Sequence, residues 1–112
     1  MTIVVKEVGK NPTPKNISDD VFSCLKDLQG IVGGYIQEID YPTENDNGVV
    51  LICREKGKLQ RLTPNIFCGR DVIVGDICFV NTKLNKEGEK EYVSLTKPQM
   101  NFLLKKFNSA RS

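Results

Sequence analysis

The stretch Leu28-Gln29-Gly30-Ile31-Val32-Gly33-Gly34-Tyr35-Ile36-Gln37-Glu38-Ile39, followed beyond a polar connector by Gly48-Val49-Val50-Leu51-Ile52-Cys53-Arg54, decides the fold. Three glycines within five positions suit a backbone that leaves a helix through positive φ and passes close to a neighbour. Gly30 is the expected helix stop. Tyr35 to Ile39 is aromatic and β-branched at its apolar positions, and Val49 to Cys53 is apolar throughout. The first therefore reads as a half-exposed strand and the second as a central, buried one. Asn45-Asp46-Asn47-Gly48 between them carries an Asn-Gly pair, which tolerates the two positive φ values of a type I′ turn, so the two strands form a hairpin.

Outward from this hairpin, the N-terminal side reads as a strand over Thr2 to Val8 that stops at Gly9. Asn11-Pro12-Thr13-Pro14 is expected to be a rigid connector, because each proline lacks an amide donor and restricts the residue before it. Ser18 stands as an N-cap before a helix over about Asp19 to Gln29, with Asp19 and Asp20 at its positive end. Val21, Leu25 and Leu28, widened by Phe22 and Cys24, form the stripe expected to cover a sheet face.

On the C-terminal side, Arg54 to Leu59 reads as a turn with Gly57 in the left-handed region, followed by a short strand through Leu62. Thr63 to Arg70 has no assignable conformation, and irregular loops on a rigid scaffold are where binding residues concentrate. Brief pairing over Asp71 to Val74, a strand from Ile77 to Val80, a polar tip at Asn85 to Gly88 and a closing strand at Tyr92 to Leu95 follow. Thr96-Lys97-Pro98-Gln99 is a capping box with proline in the first turn. Met100, Leu103, Leu104 and Phe107 then recur at helical spacing. The fold class expected is α+β: five or six mainly antiparallel strands with two helices on one face, as a single domain over residues 1–112.

Composition narrows the function. With 112 residues, 39% hydrophobic and 27% charged, the chain has globular values and length for one core. A net charge of +2 gives no long-range field for a nucleic-acid or anionic-membrane partner. The N-terminal stretch, with Lys6 soon after its apolar run, is neither a signal peptide nor a span, so a cytoplasmic location is expected. Cys24, Cys53, Cys68 and Cys78 contain no CxxC, and the chain has no histidine, so reduced thiols are expected and neither a metal nor a cofactor. Neither GxGxxG nor a P-loop is present.

Without histidine, general acid-base and nucleophilic routes narrow to lysine or carboxylate bases, or to Cys68 beside Arg70 as a thiol of lowered pKa. The expectation is a protein that binds rather than catalyses. Its candidate site is the set of cations Arg54, Lys56, Lys58, Arg61 and Arg70 around one turn and the loop after it. An arginine there can grip a phosphate bidentately while Tyr35, Phe67 or Tyr92 stacks on a base, with the Gly33-Gly34 backbone as a wall. The plain alternative is a solvated edge whose lysines prevent sheet-to-sheet aggregation.

Leu28 to Ile36, Leu51-Ile52-Cys53-Arg54-Glu55-Lys56-Gly57-Lys58-Leu59, Pro64-Asn65, Val74-Gly75-Asp76 and Ser94-Leu95-Thr96 together resemble a family of small proteins carried by phages and plasmids, chiefly of Gram-positive bacteria, and catalogued as a domain of unknown function. The resemblance covers most of the chain. It implies a mobile-element accessory protein in a bacterial cytoplasm and supplies no catalytic residues. It adds Asn65 to the candidate site, although Ile66 follows it where a basic residue is expected. The function expected is sequestration of a phosphate-bearing nucleotide immune signal, with a homodimer as the working form. Direct inhibition of a host protein and weak nucleic-acid binding are the alternatives.

Overall fold

The computed structural model describes residues 1–43 and 48–108. The Asn45 to Asn47 turn expected between the two central strands lies outside them. Among the described residues there are eight strands and two helices: β1 (Thr2–Lys6), β2 (Thr13–Asn16), α1 (Val21–Val32), β3 (Ile36–Asp40), β4 (Val49–Arg54), β5 (Pro64–Cys68), β6 (Asp71–Val74), β7 (Ile77–Leu84), β8 (Lys90–Val93) and α2 (Lys97–Lys106). Six strands form one antiparallel sheet in the order β2-β1-β7-β4-β3, with β8 beside the second half of β7. β5 and β6 make a separate hairpin. The α+β class read from the sequence is the class observed.

The two helices, however, cover opposite faces. On β4, Val49, Leu51 and Cys53 pack into a core with Leu103 of α2, whereas Val50 and Ile52 pack into a second core with Cys24, Leu28 and Val32 of α1. β7 divides the same way, Ile77 and Phe79 on one side and Cys78 and Val80 on the other. A strand that is apolar at every position buries both faces, and each face then needs its own covering layer. Placing both helices on one face would have left Val50 and Ile52, or Leu51 and Cys53, against water. The α2 side is built around three rings: Phe79 stacks on Phe107 at 5.4 Å and meets Tyr41 edge-on at 5.1 Å.

α1 also differs from the expected helix. Its N-cap is Asp20, which accepts from the Ser23 amide at 3.0 Å, while Ser18 accepts from the Asp20 amide at 3.1 Å. The helix runs through Gly30 and ends at Gly33, whose φ of 82° lets its own amide and that of Gly34 both return to the Gln29 carbonyl. Because the helix is longer, its buried stripe is Cys24, Leu28 and Val32. Val21 and Phe22, placed in the stripe by their spacing, are 78% and 79% exposed. The first turn of α1 projects past the sheet.

Two further expectations are corrected by pairing. Thr13 to Asn16 is the edge strand β2, not a plain connector: Pro14 sits opposite Val4 at the sheet border, where a missing amide donor does least harm. Thr63 to Arg70 is largely β5 and the turn of the β5–β6 hairpin, with Gly69 at φ 63°. Residues 55–62 form successive turns with no strand. Within them it is Arg61, at φ 56°, that takes the left-handed region, and not Gly57. Gly57 is buried with an added Cβ only 3.0 Å from Val74, so it serves close approach. Thr96 and Gln99 form the expected capping box of α2.

Candidate functional site

The expected cation site lies around the end of β4, the turns that follow it and the β5–β6 hairpin. Arg54, last residue of β4, turns inward. Its Nε donates to the Val32 carbonyl at 2.9 Å and its Nη1 to Gln60 Oε1 at 2.8 Å. The guanidinium thus caps the C-terminal end of α1, where the carbonyls of the last turn lack intrahelical partners and the helix dipole is negative. An added Cβ at Gly33 would fall 2.0 Å from Arg54 Nη2, and one at Gly34 would be 3.4 Å from its Cγ. The Gly-Gly pair is therefore the bed of this side chain. Glycine at 33 answers both to the left-handed backbone and to the space the guanidinium takes.

Asn65 is likewise engaged inside the protein. It sits at the irregularity between Pro64 and Ile66, and its Nδ2 donates to the carbonyls of Lys6 at 2.8 Å and Gly75 at 2.7 Å. Its Oδ1 accepts from Lys6 Nζ at 3.0 Å. This one amide pins the hairpin to β1 and caps a buried ammonium. Burial lowers the Lys6 pKa, and the nearby Asp76 carboxylate works against that shift.

The other cations remain outside. Lys58 is ion-paired with Asp71, clipping the turns to the hairpin, and the bond from Lys58 is the main cause that lowers the Asp71 pKa. Lys56, Arg61 and Arg70 are exposed and have no ion pair among the described residues. Along the same turns and hairpin, Leu59 and Phe67 are 83% and 75% exposed, and Tyr35 is exposed where the chain enters β3. The groove bounded by Arg54, Lys58, Asp71 and Val74 holds about 230 Å³, smaller than the ~300 to 1,000 Å³ of ordinary ligand pockets. These residues make an open strip rather than an enclosed site.

Tyr92, named with Tyr35 and Phe67 as a stacking candidate, is elsewhere. It lines a cleft of about 470 Å³ between the first turn of α1 and the β3 and β8 strands. Lys90 of β8 reaches Glu38 at 3.7 Å and Asp40 at 3.8 Å on β3, although β7 and β4 lie between the two strands. The sheet is curled around this cleft. Burial and the charge of the nearby Glu38 carboxylate raise the Tyr92 pKa. No motif marks these residues, because they are joined only by the curl of the sheet and the projection of α1.

Cys24, Cys53 and Cys78 are buried core thiols, and Cys68 is half-buried on the hairpin against the α2-side core. Burial raises the pKa of the first three, that of Cys78 to about 12. Among the described residues, no group of three or more His, Cys, Asp or Glu is gathered to hold a metal, and no helix is long and apolar enough to cross a membrane. No curated protein and no solved structure matches the chain. A family model does match, over residues 1–108, and the chain belongs to that family, described as Domain of unknown function (DUF3846).

Proposed function

We propose that this chain is a non-catalytic accessory protein of a phage or other mobile element, working in a bacterial cytoplasm, that holds a phosphate-bearing nucleotide signal on its cationic strip. The observation that carries the reading is that Lys56, Arg61 and Arg70 stand exposed, with no ion pair among the described residues, on the same turns and hairpin as the exposed side chains of Leu59 and Phe67. Cations without internal partners are available to phosphate oxygens, and an aromatic face beside them can stack on a base. Arg54 and Asn65 brace the elements that carry the strip, through Arg54 Nε and Nη1 and the Asn65 amide, which donate within the protein itself.

The test is calorimetry against cyclic dinucleotides, cyclic oligonucleotides and ADP-ribose derivatives, with Lys56→Ala, Arg61→Ala and Arg70→Ala. A charge-assisted contact contributes about 1.5 to 3 kcal/mol, so losing one true contact weakens binding roughly ten- to a hundredfold. Absence of any binding below millimolar concentration overturns the reading. The exposure of Leu59 and Phe67 favours a second one, direct inhibition of a host protein, because large apolar side chains exposed together mark a surface that a partner covers. In that case Phe67→Ala abolishes partner capture while the nucleotide panel stays silent.

A further inference from the structure

The cleft beside α1 has walls of opposite character. On the helix side stand Val21 and Leu25, one turn apart, over the sulfur-bearing side chain of Cys24. Val21 is 78% and Leu25 40% exposed, and Phe22 beside them is 79% exposed. Large apolar side chains left in water at the mouth of a concave space are the ordinary mark of a surface that a ligand covers. On the strand side stand Glu38, Lys90 and Tyr92.

Charge decides what kind of ligand suits these walls. Glu38 lines the cleft and Asp40 adjoins it, while Lys90, shared between them, is the cation of that wall; the Glu91 carboxylate, one position along β8, is bonded to Asn85 instead. Asp19 at the far rim is taken up by the Met1 amine at 2.9 Å. The wall is therefore net negative and repels a phosphate or carboxylate. The Tyr92 hydroxyl and the Glu38 carboxylate both line the cleft, and their oxygen lone pairs face it as acceptors. The positive end of α1 lies on the opposite side, answered there by the Asp20 cap. Field and hydrophobicity thus point the same way across the cleft, apolar toward the helix and cation-seeking toward β3 and β8.

We infer that this cleft is a binding site for a small amphipathic amine, with its apolar body on Val21 and Leu25 and its ammonium among Glu38 and Tyr92. An ammonium offers three donors and no acceptor, which matches a wall of acceptors, and it adds to Lys90 without exceeding the local negative charge. The space of about 470 Å³ accommodates a one-ring body with a short aminoalkyl arm. The site is separate from the cationic strip and takes a ligand of opposite charge.

Three probes with one apolar body isolate the head group: 2-phenylethylamine, 2-phenylethanol and 3-phenylpropionate, each titrated into the ¹⁵N-labelled full chain and followed by amide shifts. The amine is expected to move the amides of Cys24, Leu25, Glu38 and Tyr92 and to bind at least about tenfold more tightly than the alcohol, as one charge-assisted contact implies. The carboxylate is expected to leave those amides unmoved. Glu38→Gln should remove the preference of amine over alcohol while keeping alcohol binding, which shows that the cleft still stands. Should Glu38→Gln disturb the fold through Lys90, Leu25→Lys serves instead, since it replaces an apolar contact with a competing cation and should abolish amine binding while the remaining amide spectrum stays that of the folded chain. The inference is overturned if the carboxylate binds as well as the amine, if the amine shifts map to the β5–β6 hairpin, or if no probe moves the cleft amides at millimolar concentration.

Discussion

Gly33→Ala combined with Arg54→Ala measures how far the end of α1 depends on one guanidinium. Alanine at position 33 must hold φ near 82°, and a left-handed L-residue costs about 1 to 2 kcal/mol. Its Cβ would also meet Arg54 Nη2 at 2.0 Å, but that atom is the tip of a flexible chain, so the side chain swings away rather than clashing. What is lost is the charge-assisted bond from Nε to the Val32 carbonyl, a half-buried contact of roughly 1.5 to 2 kcal/mol. Gly33→Ala in the native chain should therefore destabilise by about 2.5 to 4 kcal/mol, a fall in Tm on the order of 10 to 16 °C for a domain of this size. Arg54→Ala removes the same bond directly. Once the guanidinium is gone, Gly33→Ala should cost only its backbone share, about 1 to 2 kcal/mol. Urea unfolding of the four proteins gives the coupling energy, expected near 2 kcal/mol with unchanged m-values. Additivity to within about 0.5 kcal/mol would refute the clamp and leave Gly33 as a plain helix terminator.

Leu103→Ala, at a fully buried site packed beneath the Tyr41, Phe79 and Phe107 rings, should cost about 2 to 5 kcal/mol in urea unfolding, and a loss below about 1 kcal/mol would show that α2 is not integral to the core. Ellman's reagent should titrate Cys68 quickly and Cys24, Cys53 and Cys78 only after unfolding, so a second fast thiol would contradict the packing. Alkaline pH should destabilise the fold. The Cys78 thiol is pushed from 9.0 up to about 12 and Tyr92 is also raised, so the folded chain keeps protons that the unfolded chain loses. The stability tied to Cys78 is complete below about pH 9 and disappears toward pH 12, at about 1.4 kcal/mol per pH unit for each retained proton. Lys6, lowered by burial, acts with the opposite sign near its ordinary value of 10.5 and softens the fall. Urea midpoints measured between about pH 8 and pH 11 should show a shallower decline for Cys78→Ala than for the native chain, and identical slopes would refute the assignment.

The sequence by itself carried the information that is local in the chain. The apolar runs at Ile3 to Val5, Val49 to Cys53 and Ile77 to Val80 became the three central strands of the sheet, because runs that apolar hold their amides only inside a sheet. The capping box at Thr96 and Gln99 became the start of α2, because its two bonds join residues three apart. Where α1 ends and which of its faces is buried were read from the sequence as Gly30 and Val21-Leu25-Leu28, and the structure replaces both with Gly33 and Cys24-Leu28-Val32. Val21-Leu25-Leu28 and Cys24-Leu28-Val32 are both helical stripes, and only the sheet beneath α1 and the Arg54 cap select the second. The sequence reading placed both helices on one face, and only the packing of β4 and β7, buried on both sides, sets them on opposite faces. The roles of the candidate residues were the least legible. Arg54, Lys58 and Asn65 look like free polar groups in the chain, and their partners Val32, Asp71 and Lys6 are distant in sequence. The cleft that gathers Leu25, Glu38 and Tyr92 has no sequence signature at all, since it exists only where the projecting turn of α1 meets the curled sheet. Spacing along a chain fixes periodicity within an element, whereas the neighbours of a side chain are fixed by how the elements pack.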